Sequence, residues 1–212
     1  MNNRKLAFIG PVGVGKTTAI KLLAGNGAIS TEEAATDTTH HRKKTTTVAM
    51  DFGVMTLANG EQIRLYGTPG QERFNFMWDI LATDCDGFIL LLDNSRSSPL
   101  LDLSFFINNF KKYGIEEKLV VGITKSDVKH SLDISKYQTE LESVGLKPAI
   151  HMIDARCPKE LMKLVNELMP APTNISYKLE LQPPKEPDER LGEMFGYSEI
   201  SNRSHGLASL LN

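Results

Sequence analysis

Residues 10–17 read Gly-Pro-Val-Gly-Val-Gly-Lys-Thr, the G-x-x-x-x-G-K-[ST] spacing of a loop that wraps the phosphates of a nucleoside triphosphate. Gly10, Gly13 and Gly15 allow the backbone to close around phosphate oxygens with its N–H groups turned inward, and Val12 and Val14 fill the positions between them. Lys16 has the reach to bond the β- and γ-phosphates, and the Thr17 hydroxyl suits a Mg²⁺ ion. Thr18 opens the helix-compatible stretch 18–24, whose N-terminus adds a partial positive charge. Before the loop stands the apolar run Leu6-Ala7-Phe8-Ile9. A strand before the loop and a helix after it are what distinguish a phosphate loop from a glycine-rich turn with an unrelated lysine.

The remaining chain must supply elements that hold other groups beside this loop. Residues 47–57 and 61–66 read as two strands joined at Asn59-Gly60, a strong short hairpin signal. Residues 87–93, 119–123 and 149–153 read as further strands, the first two buried on both faces. Leu103, Phe106, Ile107 and Phe110 recur at helical spacing within about 99–113. Ile134, Tyr137, Leu141 and Val144 mark a second helix, and a last one starts at Pro158 and buries Leu161, Leu164, Val165 and Leu168. One antiparallel hairpin followed by repeated β–α units predicts an α/β fold: a mostly parallel six-stranded sheet with one antiparallel hairpin strand and helices on both faces. Ligands of such sheets bind at the carboxyl ends of the strands. Residues 25–46 are polar without periodicity and are expected to form a mobile loop beside the phosphates. Pro170, Pro172, Pro183, Pro184 and Pro187 crowd the end of the chain, which predicts a domain over 1–169 and a tail over 170–212.

Three more segments follow predicted strands: Gly67-Thr68-Pro69-Gly70-Gln71-Glu72-Arg73-Phe74, Thr124-Lys125-Ser126-Asp127 and Asp154-Ala155-Arg156. In this order after the phosphate loop, they resemble the motifs of Ras-like small GTPases over about residues 4–169. The strings Thr-Thr-Thr-Val-Ala-Met-Asp-Phe-Gly and Gly-Thr-Pro-Gly-Gln-Glu-Arg-Phe are most similar to those of bacterial Ras-like proteins, a group that includes MglA relatives and small actinobacterial GTPases. The resemblance implies that the Gly70 N–H contacts the γ-phosphate and that Gln71 orients the attacking water, as a carboxamide can by donating and accepting at once. It implies that Asp127 accepts bonds from N1–H and the 2-amino group of guanine. Adenine would leave that carboxylate unmatched at about 1–3 kcal/mol or more. Lys125 would lie along the base, the Ala155 N–H would reach guanine O6, and Thr124 and Arg156 would flank them. Thr47, four residues before Asp51, best matches the threonine that joins Thr17 on Mg²⁺; Thr46 is the near alternative, and both also suit the start of a strand.

The chain departs from that pattern in three places. Gly67 stands where small GTPases usually carry an aspartate, so Mg²⁺ would lean on Thr17, phosphates, waters and Thr47 or another carboxylate. Val12 crowds the place of Gln71, and Thr124 replaces the usual asparagine. Together these predict a slow GTP hydrolase acting as a molecular switch, or alternatively a scaffold that holds nucleotide with negligible turnover. A P-loop kinase or ATPase is disfavoured by the Lys125–Asp127 pair and by the absence of an arginine-rich lid. Arg42, Arg64 and Arg73 are the candidates for a charge-stabilising arginine, although the run 40–44 reads equally as a solvated loop. His40 and His41 lack a third metal ligand at useful spacing, and His151 reads as a structural strand residue. Trp78, with Phe74, Phe76 and Met77, reads as helix core, or as an apolar surface for a partner.

Bulk properties narrow the rest. A net charge of −2 offers no field for nucleic acid or anionic lipid. Two cysteines, Cys85 and Cys157, exclude a disulfide framework and fit a reducing, cytoplasmic location. The longest apolar stretch, about 87–92, is too short to span a bilayer, and the chain end carries no prenylation cysteine, so neither membrane span nor lipid anchor is expected. Ile175, Tyr177, Leu179 and Leu181 alternate as a strand would and suit sheet augmentation, or else belong to a disordered segment. The family resemblance suggests a regulatory or effector protein, roadblock-type among them.

Overall fold

Continuous apolar runs become strands buried on both sides because successive strand residues face opposite ways. In β1 (Arg4–Ile9) and β5 (Gly87–Asp93), Leu6, Phe8, Ile89 and Leu91 enter one core, while Ala7, Ile9, Phe88, Leu90 and Leu92 enter the other. The first core is closed by α1 (Lys16–Ala24) and α5 (Pro158–Leu168) through Ala19, Ile20, Leu23, Leu161, Leu164 and Val165. The second is closed by α2 (Asn75–Ala82), α3 (Pro99–Phe110) and α4 (Ile134–Ser143). Helices therefore lie on both faces, as expected. The computed structural model describes residues 4–34, 45–57, 59–127 and 132–169, with the side chains of 26, 30–34 and 45–49 outside the description.

The other strands are β2 (Ile29–Ala34), β3 (Thr45–Thr56), β4 (Gln62–Gly67), β6 (Leu119–Thr124) and β7 (Ala149–Met152). Their order in the sheet is β2-β3-β4-β1-β5-β6-β7. From β4 to β7 all neighbours are parallel, and β3 pairs antiparallel with β4. These are the six expected strands. A seventh lies at the edge: β2 pairs antiparallel with β3, within the stretch expected to be a loop. The sequence Ile-Ser-Thr-Glu-Glu-Ala lacks the apolar–polar alternation that marks a half-buried strand, and as an edge strand it pairs on one side only.

The hairpin between β3 and β4 closes as its dipeptide suggests, with Leu57 N–H donating to the Glu61 carbonyl at 2.8 Å and Gly60 at a φ of +81°. The helix expected over 99–113 keeps α geometry to Phe110 and tightens to a 3₁₀ turn over Lys111–Tyr113, where Gly114 at φ +68° ends it. Trp78 is core: it is 2% exposed and packs on Phe105, Phe106 and Phe110. Phe76 on the same helix is exposed. From β1 the chain crosses to the edge strand β2 and returns through β3 to β4 beside β1, then continues outward on the other side from β5 to β7, so a crevice opens at the carboxyl end of β1. Among the described residues no helix is long and apolar enough to cross a membrane.

Candidate functional site

The loop between β1 and α1 lies in that crevice. Gly15 caps α1 at a φ of 110°, a conformation that side-chain-bearing residues rarely adopt, and a Cβ there would stand 2.7 Å from the Ala155 Cβ. Lys16 is only 8% exposed, and its ammonium donates to the Gly10 carbonyl at 2.7 Å and the Pro11 carbonyl at 2.8 Å. The cation is thereby held across the mouth of the loop. Val14 is buried beneath it, whereas Val12, Gly13 and Thr18 face outward.

Each of the other expected segments meets this loop. Gly70 sits so close that a Cβ would fall 2.5 Å from the Val12 nitrogen and 2.6 Å from the Pro11 carbonyl carbon. The turn before it is pinned from two sides. Thr68 N–H donates to the Phe8 carbonyl at 3.0 Å, and the Trp78 indole N–H donates to the Pro69 carbonyl at 2.9 Å. Gln71 follows Gly70 directly, and its Oε1 is buried with no hydrogen-bond partner, an acceptor suited to a water at the mouth of the loop.

The Thr124–Asp127 segment docks from the opposite side. The Thr124 hydroxyl lies 3.1 Å from the Leu92 carbonyl and 3.4 Å from the Val14 carbonyl, so a hydroxyl ties β6 to the phosphate loop. Lys125 has a φ of 57°, which for a non-glycine residue costs about 1–2 kcal/mol. Its ammonium holds that geometry by donating to Asp93 Oδ2 at 2.5 Å and to the Gly13 carbonyl at 3.3 Å. Burial raises the Asp93 carboxyl, but bonds from Lys125 and from Ser95 outweigh it and hold the group below the usual carboxylate range. Asp127 is exposed at the rim. Arg156 is exposed and forks onto Asp154, at 2.9 Å from Nε and 2.8 Å from Nη2.

Four residues of this edge were not singled out from sequence. Asn94 is 2% exposed; its Oδ1 accepts from the Leu132 N–H at 3.0 Å and from the buried Tyr137 hydroxyl at 2.7 Å, while its amide donates to the Leu132 carbonyl. Asn94 and Tyr137 thus anchor Leu132, just ahead of α4. Asp93 anchors Lys125. Asp51 on β3 is 4% exposed and accepts from the Thr17 hydroxyl at 2.7 Å. A carboxylate inside an otherwise apolar and threonine-rich strand is the signal for it in the sequence.

Thr47 lies in β3 opposite Glu32 of β2, about 13 Å along the strand from Asp51 at the usual rise per residue. Its side chain, and the whole of Arg42, His40 and His41, lie outside the described residues, as does the tail over 170–212. Arg64 pairs in register with Lys5 and Val54 toward the opposite end of β4, away from the loop. Arg73 stacks on Phe74 at 4.9 Å. His151 pairs with Glu167 of α5 at 3.0 Å, in the structural role expected.

Thr17 and Asp51 fit a divalent cation held largely by phosphate and water, as Mg²⁺ is beside nucleotides; no cluster of three or more His, Cys, Asp or Glu side chains occurs among the described residues.

Comparison with known proteins agrees with this geometry. The family model described as conserved hypothetical ATP binding protein matches residues 26–181. The Ras-related protein Rab-12 of Mus musculus is 33% identical over 141 residues, covering 64% of this chain and 53% of the relative. Its Homo sapiens counterpart is 32% identical over the same length, covering 64% and 52%. The chain thus spans about half the length of the curated relatives it matches. Among solved structures, the G domain of the T. maritima FeoB iron transporter superposes with a TM-score of 0.55 at 21% identity, over 79% of this chain and 97% of that one. That likeness shows the fold: a Ras-like α/β G domain.

Proposed function

We propose that this chain, which belongs to the family described as conserved hypothetical ATP binding proteins, is a GTP-binding switch that hydrolyses GTP to GDP and phosphate slowly on its own. The observation that carries the reading is convergence. Gly70 against Pro11 and Val12, Lys125 on Gly13, and Ala155 against Gly15 bring the three other motif segments to one phosphate loop. The similarity to Rab-12 supports the same reading, and the kinship to bacterial Ras-like proteins rests on the 45–53 and 67–74 strings. Residues 1–169 would form the G domain and 170–212 a partner-binding tail.

In this reading Lys16 leaves the Gly10 and Pro11 carbonyls for the β- and γ-phosphates, an exchange of neutral acceptors for anionic ones that strengthens its bonds. The Gly70 N–H meets the γ-phosphate, and the Gln71 carbonyl accepts a bond from the attacking water. Thr17 would hold a Mg²⁺ ion, joined by Thr47 if the start of β3 moves toward the loop, and the ion would supply positive charge against the charge developing on the phosphates. Asp127, Lys125, Thr124, Ala155 and Arg156 would hold the base. Catalysis is positioning and electrostatics, and without an arginine on the γ-phosphate the rate would be of order 10⁻⁴–10⁻² s⁻¹. The family's printed name speaks of ATP. The Lys125-x-Asp127 pair supports guanine instead, because adenine offers no donor pair to that carboxylate.

The test is single-turnover hydrolysis of GTP-loaded protein beside Gln71→Ala. A measurable rate that falls at least tenfold in the variant supports the switch. Retained GTP in both proteins supports a scaffold that binds without turnover, the reading favoured by the missing carboxylate at Gly67.

A further inference from the structure

Lys125 holds a left-handed φ of 57°, and such a backbone persists only where its surroundings fix it from more than one side. Asn94, the residue that follows β5, supplies part of that fixation. Its backbone N–H donates to the Thr124 carbonyl at 3.0 Å, and its Nδ2 donates to the Ser126 hydroxyl at 3.5 Å, so it reaches the residue on each side of Lys125. Nδ2 donates also to the Leu132 carbonyl at 3.0 Å. Oδ1 accepts from the Leu132 N–H at 3.0 Å and from the Tyr137 hydroxyl at 2.7 Å. A neutral amide offers two donors and two acceptor lone pairs, so every hydrogen-bonding position of this side chain is engaged. Asn94 and Tyr137 are both buried. The amide is thereby held in one orientation, and it grips the chain on both sides of Asp127.

We propose that Asn94 is a positioning residue for base selection, with Tyr137 as its support. The inference rests on the guanine reading above. Asp127 is exposed at the rim, so its direction is set by the backbone that carries it rather than by packing around its side chain. A carboxylate accepts from N1–H and the 2-amino group of guanine together only when both of its oxygens face the base edge. One that turns freely exchanges the second bond for water and loses the discrimination that bond provides. Hydrogen bonds behind a contact residue are what hold such geometry. Being buried, Asn94 acts on the base only through the Thr124–Asp127 backbone. Tyr137 acts one step further back, by filling the second lone pair of Oδ1 and keeping the amide from turning.

The test sets GDP against IDP, whose base keeps N1–H but lacks the 2-amino group, in competition with fluorescent GDP on the full chain. Wild type should prefer GDP by at least about tenfold, the worth of one hydrogen bond to a charged acceptor. Asn94→Ala should shrink that preference at least roughly threefold, and Tyr137→Phe should shrink it in the same direction by less. A merely structural role would lower the melting temperature, or weaken GDP and IDP alike, and leave their ratio where it was. Folded variants that keep the wild-type ratio would therefore overturn the proposal. Should Asn94→Ala fail to fold, an unchanged ratio in Tyr137→Phe would overturn it alone. Wild type that rejects ADP but binds IDP as well as GDP would overturn it too, because no second bond would need positioning. Wild type that takes ADP as readily as GDP would overturn the guanine reading and this inference with it.

Discussion

A buried ammonium resting on two carbonyls is a strong residue-level commitment. Replacing Lys16 by Ala strips the Gly10 and Pro11 carbonyls of their donor and any phosphate of its cation. Charged hydrogen bonds are worth about 1.5–3 kcal/mol each, so GDP affinity should fall at least roughly 100-fold by calorimetry. Unchanged affinity would place the nucleotide elsewhere. The Asp93–Lys125 pair makes a second expectation, in pH. A carboxyl depressed in the folded state stabilises the protein above its unfolded value near 4, and that stability is lost as pH falls through the lower folded value. Wild type should therefore exceed Asp93→Asn in urea midpoint at pH 7, with the gap closing as pH falls below the unfolded value near 4. A gap that stays constant over that range would mean the carboxylate's charge is irrelevant.

At the scale of elements, Trp78 links the Gly67–Gln71 turn to the α2–α3 core through Pro69. It is the chain's single tryptophan, so its emission reports that link alone. Exchange of GDP for a non-hydrolysable GTP analogue should change the emission, and an identical spectrum in both states would contradict a switch centred on this turn. Tyr137 of α4 is tied to Leu132 through Asn94, and burial pushes its hydroxyl up to about 12. Tyr137→Phe should loosen the hold on Leu132, remove one of the two donors to Asn94 Oδ1 at about 0.5–1.5 kcal/mol, and raise the GDP dissociation constant. An unchanged constant would remove Tyr137 from the positioning of the base. The apolar strands and amphipathic helices were legible because burial on both faces forces continuous hydrophobic runs. The edge strand β2 was not, since its Ser, Thr and Glu residues show no alternation of apolar and polar positions.

For the whole molecule, every motif could be read because each closes a strand, and a parallel sheet brings strand ends together. Asp51 could not be read as a site residue, because which strand residue faces Gly67 is settled by pairing register rather than by spacing along the chain. Asn94 and Tyr137 escaped for the same reason: their bond joins positions 43 residues apart. The proposed boundary makes an expectation at this scale. A chain ended after Met169 should keep its melting temperature and GDP affinity, and a fall in either would assign the tail to the domain. The central claim, that this edge recognises guanine, is tested most directly by displacing labelled GDP with unlabelled GDP or ADP. The account expects GDP to compete at least roughly tenfold better, since one unmatched bond at Asp127 already costs about 1–3 kcal/mol. ADP displacing the label at the same concentration as GDP would contradict it and return the site to adenine nucleotides.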